Sequence, residues 1–323
     1  MNRLSTGKIP ISVLNNTVLR LTGARSSRIV TPPKAGLDFA AVRLNGNSLL
    51  ISADPITGVE KDIGEYAIKV SANDIATSGN PPQFAESVVL LPEGSSPATV
   101  EDLAGQMDKT AKSLGVAIVG GHTEVTPGLR RPIVVITEFS VVKDYVTSEG
   151  ALLGDSILMT KSAGLEGTAI LAGKNGDEGT RRRFLSMLSI VEEGVSAYKT
   201  GCVHAMHDCT EGGILGAAFE MSLASGVGFR IIERAVPIRQ ETAEVCHEYS
   251  IDPLRLIGSG ALLLSVERGR ETEVAEALRG VSEVSNIGEF SKQGRELVRE
   301  NGKRIRLTNA PEDELWQVLS RTD

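Results

Sequence analysis

Apolar residues recur at helical spacing over 62–82, where Ile63, Tyr66, Ala67, Val70, Ile75 and Ala76 fall near i, i+3, i+4 and i+7. The run stops at Gly79, with Pro81 and Pro82 beyond it. This predicts a helix with one buried face that carries Asn73 and Asp74 inside it, where short polar side chains are mediocre helix formers. Before it, the pattern predicts a short amphipathic helix over 11–22 and paired strands at 40–42 and 49–53, with Asn45-Gly46 as their turn. After it come a strand at 84–91, a helix at 97–114, a strand at 116–119 running into Gly120-Gly121, and a β-branched strand at 132–142.

Apolar patterning lapses over 143–154 and then resumes, which predicts two domains, 1–148 and 149–323. The second half reads as a strand at 156–160, helices at 165–172, 178–199, 211–225 and 236–249, a strand at 261–266 and a helix at 271–278. Strands at 283–290 and 304–308 and a helix at 312–319 complete it. Strands alternate with helices in both halves, an α/β (α+β) layer architecture.

Composition narrows the function classes. The 323 residues are 41% hydrophobic and 23% charged, ordinary for a soluble globular chain. The formal net charge is -7 and no basic run occurs, which argues against a nucleic-acid partner. Three cysteines, Cys202, Cys209 and Cys246, lack metal-site spacing and fit a reducing, cytoplasmic setting. The opening residues lack a continuous apolar stretch, and no run approaches ~18 apolar residues, so neither a signal peptide nor a membrane span is expected. The 34 glycines suggest many turns or close backbone approaches to a ligand.

The candidate chemistry is acidic. Asp38, Asp54, Asp74, Glu124 and Asp208 each lie within a few residues of Gly, Pro or Asn in turn-like contexts. Any one of them could be an Asx-turn or cap. As a set spread over both halves they suggest Mg²⁺, which takes oxygen ligands and bridges carboxylates to phosphates. The turn 160–168, containing Lys161, and Gly212-Gly213 could each offer N–H groups to an anion or be only a tight connection. No G-x-x-x-x-G-K-[ST] loop is present. His207 and Cys209 could form a thiol site, although a cysteine is more often a small core residue. His122 is a ligand candidate or a locally bonded loop histidine.

Taken in order, PPKAGLDFAAV, ISADPITG, SANDIATSGNPP, VGGHTEVTP, MHDCTEGGILGAAFEMSLASGVGFRI and DPLRLIGSGALLLSV resemble the PurM-like superfamily of aminoimidazole ribonucleotide synthetase, nearest its hydrogenase-maturation, HypE-like branch. The resemblance covers nearly the whole chain. It implies a two-domain fold whose N-terminal domain closes a β-barrel with a second copy, and a C-terminal mixed sheet flanked by helices. It implies a homodimer that uses ATP and Mg²⁺ on a small-molecule substrate, moving a phosphoryl group to an oxygen or activating it. By position, Asp38, Asp54 and Asp74 would hold metal, with Glu124 standing in because His122 occupies the place of an acid. Asn73, Gly120, Gly121, His122, Thr123, Lys161, Gly212 and Gly213 would line the nucleotide, and Asp74 and Asp208 would be catalytic. Hydrogenase-maturation members finish in Pro-Arg-Ile-Cys, whereas this sequence closes Leu319-Ser320-Arg321-Thr322-Asp323. The expectation is therefore phosphoryl transfer to an unidentified substrate, with carbamoyl dehydration or a non-catalytic nucleotide-binding dimer as alternatives.

Overall fold

A computed structural model describes residue 4 and residues 6–320; expectations about the first three residues, Ser5 and 321–323 fall outside it. In chain order the elements are α1 (Ile11–Asn16), β1 (Ile29–Thr31), β2 (Ala40–Leu44), β3 (Asn47–Ile56), α2 (Ile63–Ala76), β4 (Phe84–Leu91), α3 (Pro97–Leu114), β5 (Ala117–Val125) and β6 (Ile133–Val142). Then follow β7 (Ser156–Thr160), α4 (Leu165–Lys174), α5 (Glu178–Ser186), α6 (Val191–Tyr198), β8 (Val203–Asp208), α7 (Gly213–Ser225) and β9 (Gly228–Ile232). The chain continues through α8 (Gln240–Tyr249), β10 (Leu262–Val266), α9 (Glu271–Ala277), β11 (Val284–Ser291), β12 (Arg295–Val298), β13 (Arg304–Arg306) and α10 (Glu314–Ser320).

Two sheets result. The first has the order β1-β2-β3-β6-β4-β5 and the second β13-β12-β9-β11-β7-β10-β8. Asn45 and Gly46 both take positive φ, the two-residue turn that the twist of a β2–β3 hairpin favours. β5 runs parallel to β4 because α3 crosses over between them.

Helix α2 ties the sheets together. It was expected to bury one face, yet every residue except Glu65 is buried. Its Ile63, Tyr66, Ala67 and Val70 share a core with Val134 and Ile136 of the first sheet and with Leu165, Phe184 and Leu188 of the second half. Ala72 and Ala76 join the core of Leu158, Met206 and Leu262. A helix packed on all sides shows no polar face, which is why its periodicity understates its burial.

The stretch expected to be one helix over 178–199 is two, α5 and α6. Asn73 explains the break: its Nδ2 donates to Leu188 O (2.8 Å) and its Oδ1 accepts from Ile190 N (2.9 Å). The side chain of α2 thus satisfies backbone groups that a continuous helix would have paired itself. The expected helix over 11–22 is likewise α1 followed by a 3₁₀ turn. Strands β1, β8, β9 and β12 escaped the sequence pattern. β12 buries only Leu297 among half-buried neighbours and β8 is buried on both faces, so neither shows alternation. Among the described residues no helix is long and apolar enough to cross a membrane.

Candidate active site

Four carboxylates reach one place from four segments. Asp38 precedes β2, Asp54 lies on β3, Asp74 on α2, and Asp208 ends β8. Gly36 allows the first approach: a Cβ there would stand 2.5 Å from Glu220 O on α7. Ser52, two residues before Asp54 on β3, donates its hydroxyl to Asp74 Oδ2. Ser148 Oγ lies 2.9 Å from Asp38 Oδ2 and 3.0 Å from Met206 O, joining the segment between the sheets to β8.

The acids feel one another. Burial first, then Asp54, Asp208 and Asp38, push the Asp74 carboxyl well above its usual range. Burial, then Asp38, raise Asp208 to about 8, against the pull of His207. Asp208 Oδ2 is buried with no hydrogen-bond partner. Such an accumulation of like charge costs free energy that a proton or a cation relieves.

His207 supplies part of the offset. Its Nε2 is 3.0 Å from Glu220 Oε2 and its Nδ1 is 2.5 Å from Asp38 Oδ1. The Nδ1 contact is close but poorly aimed, an ion pair rather than a directed hydrogen bond. Burial pulls the imidazole down, but Asp38 and then Glu220 carry it up to about 10, which favours its charged form in the metal-free site. Lys8 reaches over the same region, its Nζ 3.2 Å from Thr210 Oγ1 and 3.4 Å from Glu220 Oε1. Glu220 falls to about 2 because Lys8 and His207 outweigh its burial.

Asp38, His207 and Asp208 place ligand atoms within 4.8 Å of one another. While His207 holds its second proton it has no lone pair to give a metal. The remaining donors are carboxylate oxygens, one of them orphaned, and that hard set suits Mg²⁺.

The other expected site residues lie elsewhere. Gly120, Gly121, His122, Thr123 and Glu124 are on β5, which is exposed along its whole length. His122 Nε2 is 3.0 Å from Glu124 Oε2, and hydrogen bonds from His122 and Thr126 hold the Glu124 carboxyl below its usual range. Within one chain none of these five bonds to the acidic cluster among the described contacts. Lys161 is spent structurally: its Nζ donates to Ser189 O (2.6 Å) and Gly260 O (3.0 Å) and pairs with Glu193. Gly212 N donates to Asp313 Oδ2 (2.7 Å) and Gly213 N to Thr210 O (3.0 Å), so both N–H groups are engaged within the fold. Gly213 is needed for packing, since a Cβ would stand 2.7 Å from both Leu254 O and Leu256 O. Asn73 has both ends of its amide bound to the 188–190 segment, as above.

The thiol alternative fails on burial. Cys209 is fully buried, and its thiol is pushed well above its usual range by burial, then by Asp208 and Asp38. That makes the thiolate inaccessible as a nucleophile. Lys8, Glu220 and Ser52 were missed as site residues. Glu220 did carry a signal, as the lone acid in the apolar helix GILGAAFEMSLAS.

Comparison with known proteins gives a consistent set of likenesses. "AIR synthase related protein, N-terminal domain" matches residues 36–142, and its C-terminal domain matches 153–300. A carbamoyl dehydratase HypE of Rhodobacter capsulatus is 30% identical over 263 residues, 76% of this chain and 74% of that protein. Among solved structures, a HypE–HypF complex superposes with TM-score 0.77 at 21% identity, covering 92% of this chain and 99% of that one. AaThiL complexed with AMPPCP and TMP superposes with TM-score 0.76 at 19% identity, covering 96% and 99%.

Proposed function

Because the chain belongs to the AIR synthase related protein family, we propose that it is an ATP-dependent, dehydratase-type enzyme that activates an amide or carbamoyl oxygen by phosphorylation. The observation that carries this reading is the convergence of Asp38, Asp54, Asp74 and Asp208 from both halves, each close enough to shift another's ionisation. Sequence reasoning alone favoured phosphoryl transfer to an unidentified acceptor, but the relatives that resemble this chain along most of its length include carbamoyl dehydratases, and that moves the reading.

In this scheme the carbonyl oxygen of the substrate takes the terminal phosphoryl group of ATP. It then leaves as phosphate while the nitrogen gives up its protons, so the amide becomes a nitrile. Bound Mg²⁺ would be held by Asp38, Asp54, Asp74 and Asp208 and would supply neutralisation of the triphosphate charge. The chain's own contribution is positioning. His207, clamped between Asp38 and Glu220, fixes Asp38. Ser52 fixes Asp74. Lys8 brings a positive charge over the Asp208 turn. Residues 120–124 of a second copy would complete the nucleotide site in a homodimer, and domains 1–148 and 149–323 would form its walls. A reducing, cytoplasmic compartment suits three free thiols.

A second reading, phosphoryl transfer to a small alcohol or phosphate, is favoured by one observation. Cys202, Cys209 and Cys246 are all buried, so none of them presents a carbamoyl group to the cluster. The test is incubation with Mg-ATP and either carbamoylated thiols or phosphorylated alcohols. Phosphate release with a product lighter by one water supports dehydration; ADP with a phosphorylated product supports the second reading. No nucleotide turnover with any acceptor defeats both.

A further inference from the structure

Arg239, the residue that opens α8, lines a groove of about 570 Å³ together with Lys161, Met187, Arg279 and the 280–283 turn. That volume lies inside the roughly 300–1,000 Å³ of small-molecule sites. The floor of the groove is held in place. Lys161 has a left-handed backbone (φ 53°), an uncommon conformation for a lysine, and its N–H donates to Glu283 O (3.0 Å). Its Nζ is tied to Ser189 O, Gly260 O and Glu193. Asn73 holds Leu188 O and Ile190 N from the other side, so the segment that carries Met187 is pinned twice. Such a groove is preformed, and a ligand entering it has little ordering cost to meet.

Its charges are not balanced. Glu193 offsets Lys161, and Glu276 stands 3.7 Å from Arg279. Arg239 is half-buried, and its Nε is buried with no hydrogen-bond partner. Glu241 feels its charge but pairs with Arg183 instead. Burial holds the Lys161 amine below its usual range against the pull of Glu193, and Lys69 and Arg239 add to that push. A guanidinium edge without an acceptor is costly inside a protein, and a carboxylate or phosphate group offers it two parallel acceptors once the long side chain turns toward the groove. Met187, Ala275 and Val281 give the same groove an apolar side. Exposed Glu283 also lines it, which disfavours a ligand with several negative charges, such as a triphosphate.

We propose that this groove binds a small organic anion, one carboxylate or phosphate group on a short apolar body, with Arg239 as its anchor and Arg279 as an outer cation. The site is separate from the acidic cluster and does not depend on how that cluster is read.

The probes are benzoate and phenyl phosphate, titrated into protein carrying methyl-labelled methionine, with the Met187 resonance as the readout. Wild type is expected to show a saturable Met187 shift, and the probe that binds more tightly identifies the head group. Arg239→Lys keeps the charge but loses the fork and should weaken binding by ~10-fold or more. The other methionine resonances report whether that variant is folded. Inorganic phosphate, lacking the apolar body, should bind ~10-fold more weakly than phenyl phosphate. No saturable shift with either probe, an Arg239→Lys affinity equal to wild type, or equal affinity for inorganic phosphate and phenyl phosphate overturns the proposal. If Arg239→Lys does not fold, wild-type crystals soaked in para-bromobenzoate decide: an anomalous bromine peak between Arg239 and Met187 supports the site, and none there overturns it.

Discussion

The acidic cluster and strand β5 were expected to form one site, yet they stand under opposite physical conditions. The cluster is assembled from both sheets within a single chain, and its acids are clamped by Ser52, Ser148 and His207. Strand β5, with its Gly-Gly-His-Thr-Glu segment, is an edge strand exposed on both faces, and it shows Ile118, Val119 and Val125 to solvent. Burial of charge has to be offset locally, so a chain that builds such a cluster must carry the offsetting groups itself. An apolar edge strand is unfinished in another way, because its free backbone groups are a template for pairing with a second chain. The contrast suggests that one half of the site is complete in the chain and the other awaits a copy of it.

The largest expected effect follows from that unfinished half. Val119→Glu should convert a dimer into a monomer in sedimentation velocity, because a charge at an exposed position of the edge strand opposes edge pairing. Wild type sedimenting as a monomer at every concentration would remove the reason to treat β5 as half of a site.

Next come the acids. Asp54→Asn and Asp208→Asn should each weaken Mg-ATP binding by at least ~10-fold in calorimetry. Lys161→Met should leave that affinity within ~2-fold, since its amine is already bound to Ser189, Gly260 and Glu193. Equal losses in all three would erase the distinction between cluster and scaffold.

The pH dependence sharpens the comparison further. Burial raises Glu166 to about 7 and Asp313 to about 7. The unfolded chain releases these protons near the ordinary carboxyl values of about 4, so between roughly pH 4 and 7 the folded state holds more protons. The contribution of these two groups to stability therefore falls as pH rises through that window. Glu166→Gln should flatten the slope by on the order of 3 kcal/mol at most across the window, read by denaturant titration. A Glu166→Gln variant whose stability runs parallel to wild type from pH 5 to 7 would contradict the assignment.

The smallest effect separates Asn73 from its neighbour. Asn73→Ala leaves Leu188 O and Ile190 N without partners and should cost about 1–3 kcal/mol of stability. Nucleotide affinity, by contrast, should stay near wild type in the same preparation.

Much of the fold was legible because its signals are local. The bounds of β4 and α3 follow directly from alternation and from a Ser96 cap with Pro97 at the helix start. The division of 178–199 into two helices was not legible, because the group that breaks it, Asn73, comes from more than a hundred residues away. In the site, the acids announced themselves by their turn contexts, and Asp38, Asp54, Asp74 and Asp208 do meet. Their offsetting groups did not. Lys8 and Glu220 act across some two hundred residues, and only the fold sets that pairing. Asn73 and Lys161 carried chemistry-bearing side chains that the packing had already used.

The most direct measurement of the central claim is a crystal structure grown with AMPPCP and Mn²⁺, with data collected at the manganese edge. The account predicts anomalous peaks among Asp38, Asp54, Asp74 and Asp208, with the triphosphate lying between them and residues 120–124 of a second copy. Nucleotide bound away from the acids, for instance in the groove lined by Lys161, Arg239 and Arg279, with no manganese at the cluster, would contradict it.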